Sequence, residues 1–207
     1  MNDSSGLRPD LDIISEWIAP DSRVLDLGCG DGTLLHSLQQ QRNVDGYGLE
    51  INPENIIACV KKGVNVIQSD LDEGLSDYFA DNSFDYVVMT QTLQAMYYPT
   101  RLLRDMLNVG KEGIITFPNF GHWKSRLQIA IGGHMPISRS LPNEWFNTPN
   151  IHLCTLNDFE ALCARLDIEI LERQVVDVSH RNSFIMNLWP NLLGEIAIYR
   201  LKAREIL

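Results

Sequence analysis

Three glycines at alternate positions, Gly28, Gly30 and Gly32, are the strongest indication of chemistry in this chain. They follow a short apolar run that contains Asp26, so a buried strand is predicted to end here and turn into a helix. Glycine has no Cβ, so the loop is free to adopt left-handed torsions and a ligand can approach its main chain closely. The next helix begins with free N–H groups and a positive dipole end, which suit a carboxylate or phosphate. The loop therefore predicts a nucleotide-like ligand.

Two further carboxylates follow predicted strands and extend this site. Glu50 closes the second strand, 24 positions after Asp26. An acidic side chain at that place can accept hydrogen bonds from both ribose hydroxyls, although a surface glutamate at a strand end is the alternative. Asp70 follows the third strand, where its residue type alone indicates a turn.

The sequence also argues against several other chemistries. The glycine spacing departs from the G-x-G-x-x-G fingerprint of nicotinamide enzymes, which makes an oxidoreductase a weak alternative. Neither a G-x-S-x-G elbow nor a P-loop is present, so the sequence does not support a hydrolase with a serine nucleophile elbow or a nucleoside triphosphatase. The five histidines are scattered without metal-ligand spacing, and we predict no metal site. The stretch Gln91-Thr-Leu-Gln94 follows the fourth strand but offers no obvious base, so no catalytic residue is assigned.

Composition limits the class of protein and its partners. The 207 residues suit one domain, 1–207, and 44% of them are hydrophobic. The net charge of −10 argues against a nucleic-acid partner. No apolar run could span a bilayer and the N-terminus lacks the pattern of a secretory signal, so we expect a cytoplasmic protein without membrane contact. The cysteines form no C-x-x-C pair and are interpreted as isolated thiols; they are Cys29, Cys59, Cys154 and Cys163.

Strand and helix patterns alternate along the first 117 residues. Five strands are predicted at 23–27, 44–49, 64–67, 84–89 and 114–117, with helical stripes between them and a turn at Lys111-Glu-Gly. This alternation indicates an α/β fold with a parallel sheet that is covered by helices on both faces. In such sheets ligands bind at the carboxyl ends of the strands, where the glycine loop lies.

The rest of the chain is less regular. Residues 118–150 are rich in Pro, Asn, Gly and aromatic residues and form a long excursion that can contain a helix over 123–131. Thr155-Leu-Asn-Asp158 resembles a capping box before a helix, and strands are predicted at 168–178 and 196–201. The connection 179–195 is strongly apolar. It either folds back on the core or, like the excursion, forms a partner or lid surface.

The run Val24-Leu-Asp-Leu-Gly-Cys-Gly-Asp-Gly32 resembles motif I of the class I S-adenosylmethionine (SAM) methyltransferases. The resemblance implies a Rossmann-like, mostly parallel seven-stranded sheet with an antiparallel last strand. It also implies a loop around the methionine half of SAM or S-adenosylhomocysteine, with Asp26 and the loop backbone at the amino and carboxylate groups. Asp70 would meet the adenine amino group. The full set of implied cofactor-binding residues is Asp26, Gly28, Cys29, Gly30, Gly32, Glu50, Ile51, Asp70, Leu71 and Gln91.

Further blocks are similar to the MetW family of methionine biosynthesis proteins. The more specific ones are Phe117-Pro-Asn-Phe-Gly-His-Trp123 and Leu141-Pro-Asn-Glu-Trp-Phe-Asn-Thr-Pro-Asn150, and Asn187-Leu-Trp-Pro-Asn-Leu192 is another. This resemblance implies a bacterial protein that supports the homoserine O-acyltransferase as its protein partner. Two readings stay open at this stage, because a fold does not fix a function. One is a non-catalytic accessory protein that binds SAM or S-adenosylhomocysteine, and the other is an active methyltransferase on an unidentified small molecule.

Overall fold

The computed structural model describes residues 9–75, 78–177 and 184–204. The chain comprises two compact units, Met1–Thr90 with Thr100–Ile114, and Gln91–Pro99 with Ile115–Leu207. The first six elements are α1 (Pro9–Trp17), β1 (Arg23–Leu27), α2 (Thr33–Arg42), β2 (Asp45–Glu50), α3 (Pro53–Lys61) and β3 (Asn65–Gln68). They are followed by β4 (Phe84–Thr90), α4 (Pro99–Val109) and β5 (Gly110–Pro118). The later elements are α5 (Trp123–Leu127), α6 (Leu156–Arg165), β6 (Ile168–Val176), α7 (Phe184–Leu188), α8 (Pro190–Leu193) and β7 (Ile196–Ala203).

Seven strands form a mixed, mostly parallel sheet in the order β3-β2-β1-β4-β5-β7-β6, with helices around it. Strand β1 pairs in parallel with β2 on one side and β4 on the other. Strands β6 and β7 are antiparallel, with one register shift between Ile170 and Glu172. The predicted α/β fold class, with its antiparallel final strands, is confirmed.

Buried apolar stripes explain the elements of the first unit. Strand β1 is buried over Val24–Leu27, and α2 buries Leu34, Leu35 and Leu38 on one side. Helix α4 likewise buries Leu102, Leu103, Met106, Leu107 and Val109. Helix α3 begins where the Asn52 side chain accepts a hydrogen bond from the Glu54 backbone N–H, as its Asn-Pro start predicts.

An aromatic cluster forms the core of the second unit. The rings of Phe117 and Tyr199 are stacked 5.9 Å apart, and Phe159 packs against both of them. The Tyr199 hydroxyl donates to Glu160, which satisfies its one polar atom inside this core. Helix α6 begins at the predicted capping box, in which Thr155 and Asp158 bond reciprocally.

One predicted turn is wrong. Lys111-Glu-Gly lies inside β5, which begins at Gly110 directly after α4. A Cβ on Gly110 would lie 2.5 Å from the Val87 side chain, so this glycine marks close packing of backbone rather than a bend. The polar residues at 111 and 112 are the partly exposed start of a strand whose remainder is buried.

The two surfaces predicted as irregular are partly helical. The excursion contains α5 and a short π-helix, Gln128–Gly132, close to the helix predicted at 123–131. Within 179–195 the structure describes α7 and α8, and residues 179–183 lie outside the described part. Leu188 and Trp189 are exposed, whereas Leu192 and Leu193 are half-buried. Across the described ranges, no helix has the length and apolar character needed to cross a membrane.

Candidate functional site

The glycine loop joins β1 to α2 and adopts the predicted left-handed torsions. The φ angles of Gly28, Gly30 and Gly32 are 74°, 55° and 74°. The N–H groups of Gly28 and Cys29 both donate to the carbonyl of Leu49, at 2.9 and 3.0 Å, so the loop turns against the end of β2. It therefore has a fixed shape that rests on backbone contacts.

Glycine is required at these positions for different reasons. A Cβ on Gly30 would have no heavy atom within 4 Å, so the space over this residue is open. A Cβ on Gly32 would lie 2.9 Å from Cys59 Sγ, so Gly32 serves helix packing. On the next strand, a Cβ on Gly48 would lie 2.4 Å from Cys29 Sγ. Glycine at position 48 therefore leaves room for the Cys29 side chain. Gly30 therefore combines a left-handed backbone with open space beside the loop.

A cavity of about 310 Å³ opens over this loop. Its volume is near the lower end of the ~300–1,000 Å³ that small-molecule sites usually occupy. Asp26, at the end of β1, lies in its wall and is 1% exposed. The residues lining the cavity are Leu11, Asp26, Gly28, Cys29, Gly30, Asp31, Thr33, Leu34 and Thr90.

Glu50 is committed to the loop backbone in this structure. Its Oε2 accepts a hydrogen bond from the Gly30 N–H at 2.8 Å. Its Oε1 accepts from the N–H groups of Ile51 and Asn52 at 2.9 and 2.8 Å. A carboxylate has about four lone-pair sites, so three are used here. Glu50 thus fixes the loop, and a bond to a ribose would either use the remaining site or replace one of these donors.

The other predicted residues lie on neighbouring strand ends. Asp70 accepts a hydrogen bond from the Asp72 N–H and caps a short 3-10 helix, Leu71–Glu73, in which Leu71 is buried. Ile51 is exposed. Gln91 has a left-handed backbone and its N–H donates to the Thr116 carbonyl within the second unit. Gly32, Glu50, Ile51, Asp70, Leu71 and Gln91 do not line the 310 Å³ cavity, and their ligand roles stay predictions.

A cation at the loop was not predicted. Lys62 follows α3 and its Nζ donates to Asp31 Oδ2 and to Thr33 Oγ1, both at 2.6 Å. This contact holds the pKa of the Asp31 carboxyl below its usual range. Lys62 lies 31 positions from Asp31, so no local spacing could have indicated the pair.

All four cysteines are free thiols, as the sequence predicts, but two of them lie in contact, which it did not predict. Cys29 Sγ lies 3.8 Å from Cys59 Sγ, and the Cys59 thiol donates to the Gly30 carbonyl at 3.2 Å. Burial is the main cause that raises the pKa of both thiols, and Asp26 raises that of Cys29 further. Both therefore stay protonated at neutral pH and act as packing groups under the loop.

The fold is that of the class I methyltransferases. A crystal structure of an S-adenosylmethionine-dependent methyltransferase from Mesorhizobium loti superposes with a TM-score of 0.67 at 16% identity, over 95% of this chain and 98% of that one. The sequence model of the family "Methionine biosynthesis protein MetW" matches residues 8–201. The chain belongs to the MetW family.

Two curated relatives are longer than this chain. The bifunctional methionine biosynthesis protein MetXA/MetW of Rhodopirellula baltica is 36% identical over 204 residues, which is 93% of this chain and 32% of that protein. Ajmaline N-methyltransferase of Rauvolfia serpentina is 22% identical over 155 residues, which is 72% of this chain and 53% of that enzyme. The chain thus spans about a third and about half of their respective lengths.

Proposed function

We propose that this MetW-family protein binds SAM or S-adenosylhomocysteine at the glycine loop. The observation that carries the proposal is the 310 Å³ cavity, with the buried Asp26 in its wall and free space over Gly30. A buried carboxylate suits the α-ammonium group of the ligand's methionine half. The start of α2 and the loop N–H groups suit its carboxylate.

The remaining predicted residues would hold the adenosine half. Glu50 would accept a hydrogen bond from a ribose hydroxyl through the lone-pair site that the loop leaves. Asp70 would accept from the adenine amino group, with Leu71 and Ile51 as apolar neighbours. Gln91, directly after β4, would lie toward a methyl acceptor.

Calorimetry tests this binding. We expect saturable binding of SAM and S-adenosylhomocysteine to the purified protein, and none of NADH. Asp26→Asn removes the charge that faces the α-ammonium and keeps the volume, so it should weaken binding by about tenfold or more. Asp81→Asn, in an exposed turn, removes the same charge and should have no effect. Equal affinities for both variants would contradict the proposed site.

We further propose that the protein supports the homoserine O-acyltransferase. Support comes from the Rhodopirellula relative, whose name assigns MetXA and MetW to a single chain. If MetXA is the acyltransferase, one polypeptide there joins the two proteins, which makes their effective concentration high.

Acyl transfer by the purified acyltransferase, measured with and without this protein, tests the partnership. We expect a higher rate and co-purification of the two proteins. Repeating the assay with added SAM, with the wild type and with Asp26→Asn, shows whether the ligand regulates the partner. An acyltransferase that is indifferent to this chain and does not bind it would refute the accessory role.

An active methyltransferase is the second candidate, and the 22% identity to an N-methyltransferase favours it. Bound SAM would supply an electrophilic methyl group, and this chain's part would be in-line positioning of an acceptor. Formation of S-adenosylhomocysteine from SAM with a panel of small amines and alcohols tests this reading. No turnover with a protein that binds SAM would leave the accessory role alone.

A further inference from the structure

A second cavity, of about 370 Å³, lies in the second unit. Its lining comes from the start of α5, the π-helix, residues 137–139 and the residue before β7. The volume is again within the range of small-molecule sites, ~300–1,000 Å³. It shares no lining residue with the glycine-loop cavity, and none of the predicted cofactor-binding residues lines it. Its lining falls within the segments 118–150 and 179–195, which the sequence indicates as partner or lid surfaces.

Hydrogen bonds to backbone groups fix the wall of this cavity. The Asn119 N–H donates to the Glu195 carbonyl at 2.9 Å, and its side-chain amide donates to the Gly194 carbonyl at 2.8 Å. These bonds tie the segment after β5 to the segment before β7. On the other wall, the Gln128 side chain donates to the Ile137 carbonyl and accepts from the Ile137 N–H. The cavity is therefore a built feature of the fold.

A buried carboxylate in this wall has one oxygen that is not committed. The Glu195 side chain is 11% exposed. Its Oε1 accepts a hydrogen bond from Lys124 Nζ at 3.1 Å and lies 3.8 Å from His122 Nε2. Within residues 9–75, 78–177 and 184–204, Glu195 Oε2 has no hydrogen-bond partner. This oxygen is not among the buried atoms that lack a partner, so it is accessible and can accept a hydrogen bond from a further donor.

Two cations accompany this carboxylate. Arg139 is exposed and lines the same cavity, and it pairs with no acidic group of the described residues. Lys124 holds only Oε1 of Glu195. Burial lowers the pKa of His122, so this ring stays neutral at physiological pH. The lining thus presents an available guanidinium and an available carboxylate oxygen in one small cavity.

We propose that this cavity binds a small α-amino acid in its zwitterionic form. Glu195 Oε2 accepts a hydrogen bond from the α-ammonium group, and the Arg139 guanidinium donates to the α-carboxylate, for which its planar fork is suited. A simple anion would use Arg139 and leave the Glu195 oxygen unpaired. A simple amine would do the reverse.

The first experiment compares ligands that carry both charges with ligands that carry only one. Binding of L-alanine, L-serine and L-methionine to the purified protein is measured by calorimetry or ligand-observed NMR. Propionate, isobutylamine and inorganic phosphate are the singly functional controls. We expect the amino acids to bind at least about tenfold more tightly than any control, because each control loses one charge-assisted contact. No amino-acid binding at millimolar concentration, or equal binding of propionate or phosphate, would overturn the proposal.

Variants locate the site. Arg139→Gln changes an exposed side chain and should lower amino-acid affinity about tenfold with an unchanged unfolding midpoint. Glu195→Gln should also lower amino-acid affinity about tenfold, with some loss of stability because its pair with Lys124 is removed. Arg165→Gln and Glu169→Gln are the matched controls, since both residues are exposed and lie outside the cavity. Equal losses in the controls, or full affinity in Arg139→Gln, would refute the assignment.

Asp26→Asn separates this site from the glycine loop. The variant should lose SAM binding and keep amino-acid binding. If amino acids fail to bind Asp26→Asn, they occupy the loop cavity and the second site is refuted. If SAM fails to bind the wild type while amino acids bind, the proposed function fails and this inference stands.

Discussion

Comparing Gly30→Ala with Gly63→Ala distinguishes two reasons for a glycine: a left-handed backbone and free space for a ligand. Gly30 has φ +55° and Gly63, at the end of α3, has φ +74°, and a Cβ at either position meets nothing within 4 Å. An L-residue in the left-handed region costs roughly 1–2 kcal/mol. Reduced freedom of the unfolded chain returns about 0.4–1 kcal/mol. Both variants should therefore lose at most about 1.6 kcal/mol of stability, a fall in Tm of no more than several degrees at ~2–4 °C per kcal/mol.

Ligand affinity should differ sharply between the two variants. The Cβ of Gly30→Ala projects into the space that the proposed ligand uses, whereas Gly63 lies outside the cavity lining. Thermal melts give the stability loss, and calorimetry with SAM gives the affinity. We expect a loss of tenfold or more for Gly30→Ala and less than about twofold for Gly63→Ala. Similar affinities for the two variants would refute the reasoning that places the ligand over Gly30.

Three other perturbations follow from the contacts. Glu50→Gln turns one acceptor into a donor, so one of its three part-buried N–H partners loses its acceptor. This should cost about 1 kcal/mol or more in urea unfolding. The exposed Glu54→Gln is the control, and equal costs for the two variants would contradict this expectation. Thr155→Ala removes the capping box and should cost about 1 kcal/mol. The bonds to Thr155 lower the pKa of Asp158 in the folded protein. The stability that Asp158 contributes is therefore complete above its unfolded pKa, about 4, and is lost as the pH falls through the lower folded pKa. Thr155→Ala should reduce this loss of stability at acid pH, and an unchanged pH dependence would contradict the assignment. The buried Cys29 thiol should react with a disulfide reagent only after unfolding, and rapid reaction of the native protein at pH 7.4 would contradict its raised pKa.

Local patterns predicted most of the fold. Strand β1 has the predicted bounds because an apolar run ends at glycines that force a turn. The capping box before α6 and the Asn-Pro start of α3 are local signals of the same kind. The Lys111-Glu-Gly segment failed because polar composition resembles a turn whether the chain bends or begins a strand.

Contacts between residues far apart in the sequence could not be predicted from the sequence alone. Cys29 and Cys59, which are in contact, lie 30 positions apart in the sequence, and Lys124 and Glu195 lie 71 positions apart. Their meeting depends on helix packing and strand order, which no spacing rule encodes. The ribose role of Glu50 was inferred from its place after β2, and that inference did not include its three bonds to the backbone.

Those three bonds have a consequence for engineering. The glycine loop, residues 28–32, is held partly by backbone bonds and partly by a side chain on a different strand, so it cannot be transferred to another protein by itself. A chimera that exchanges the loop between related proteins must carry the end of β2 with it. Swapping the loop alone would place the N–H at position 30 against whatever side chain the host carries at the end of its own β2. Without a carboxylate there, this N–H would lose its acceptor.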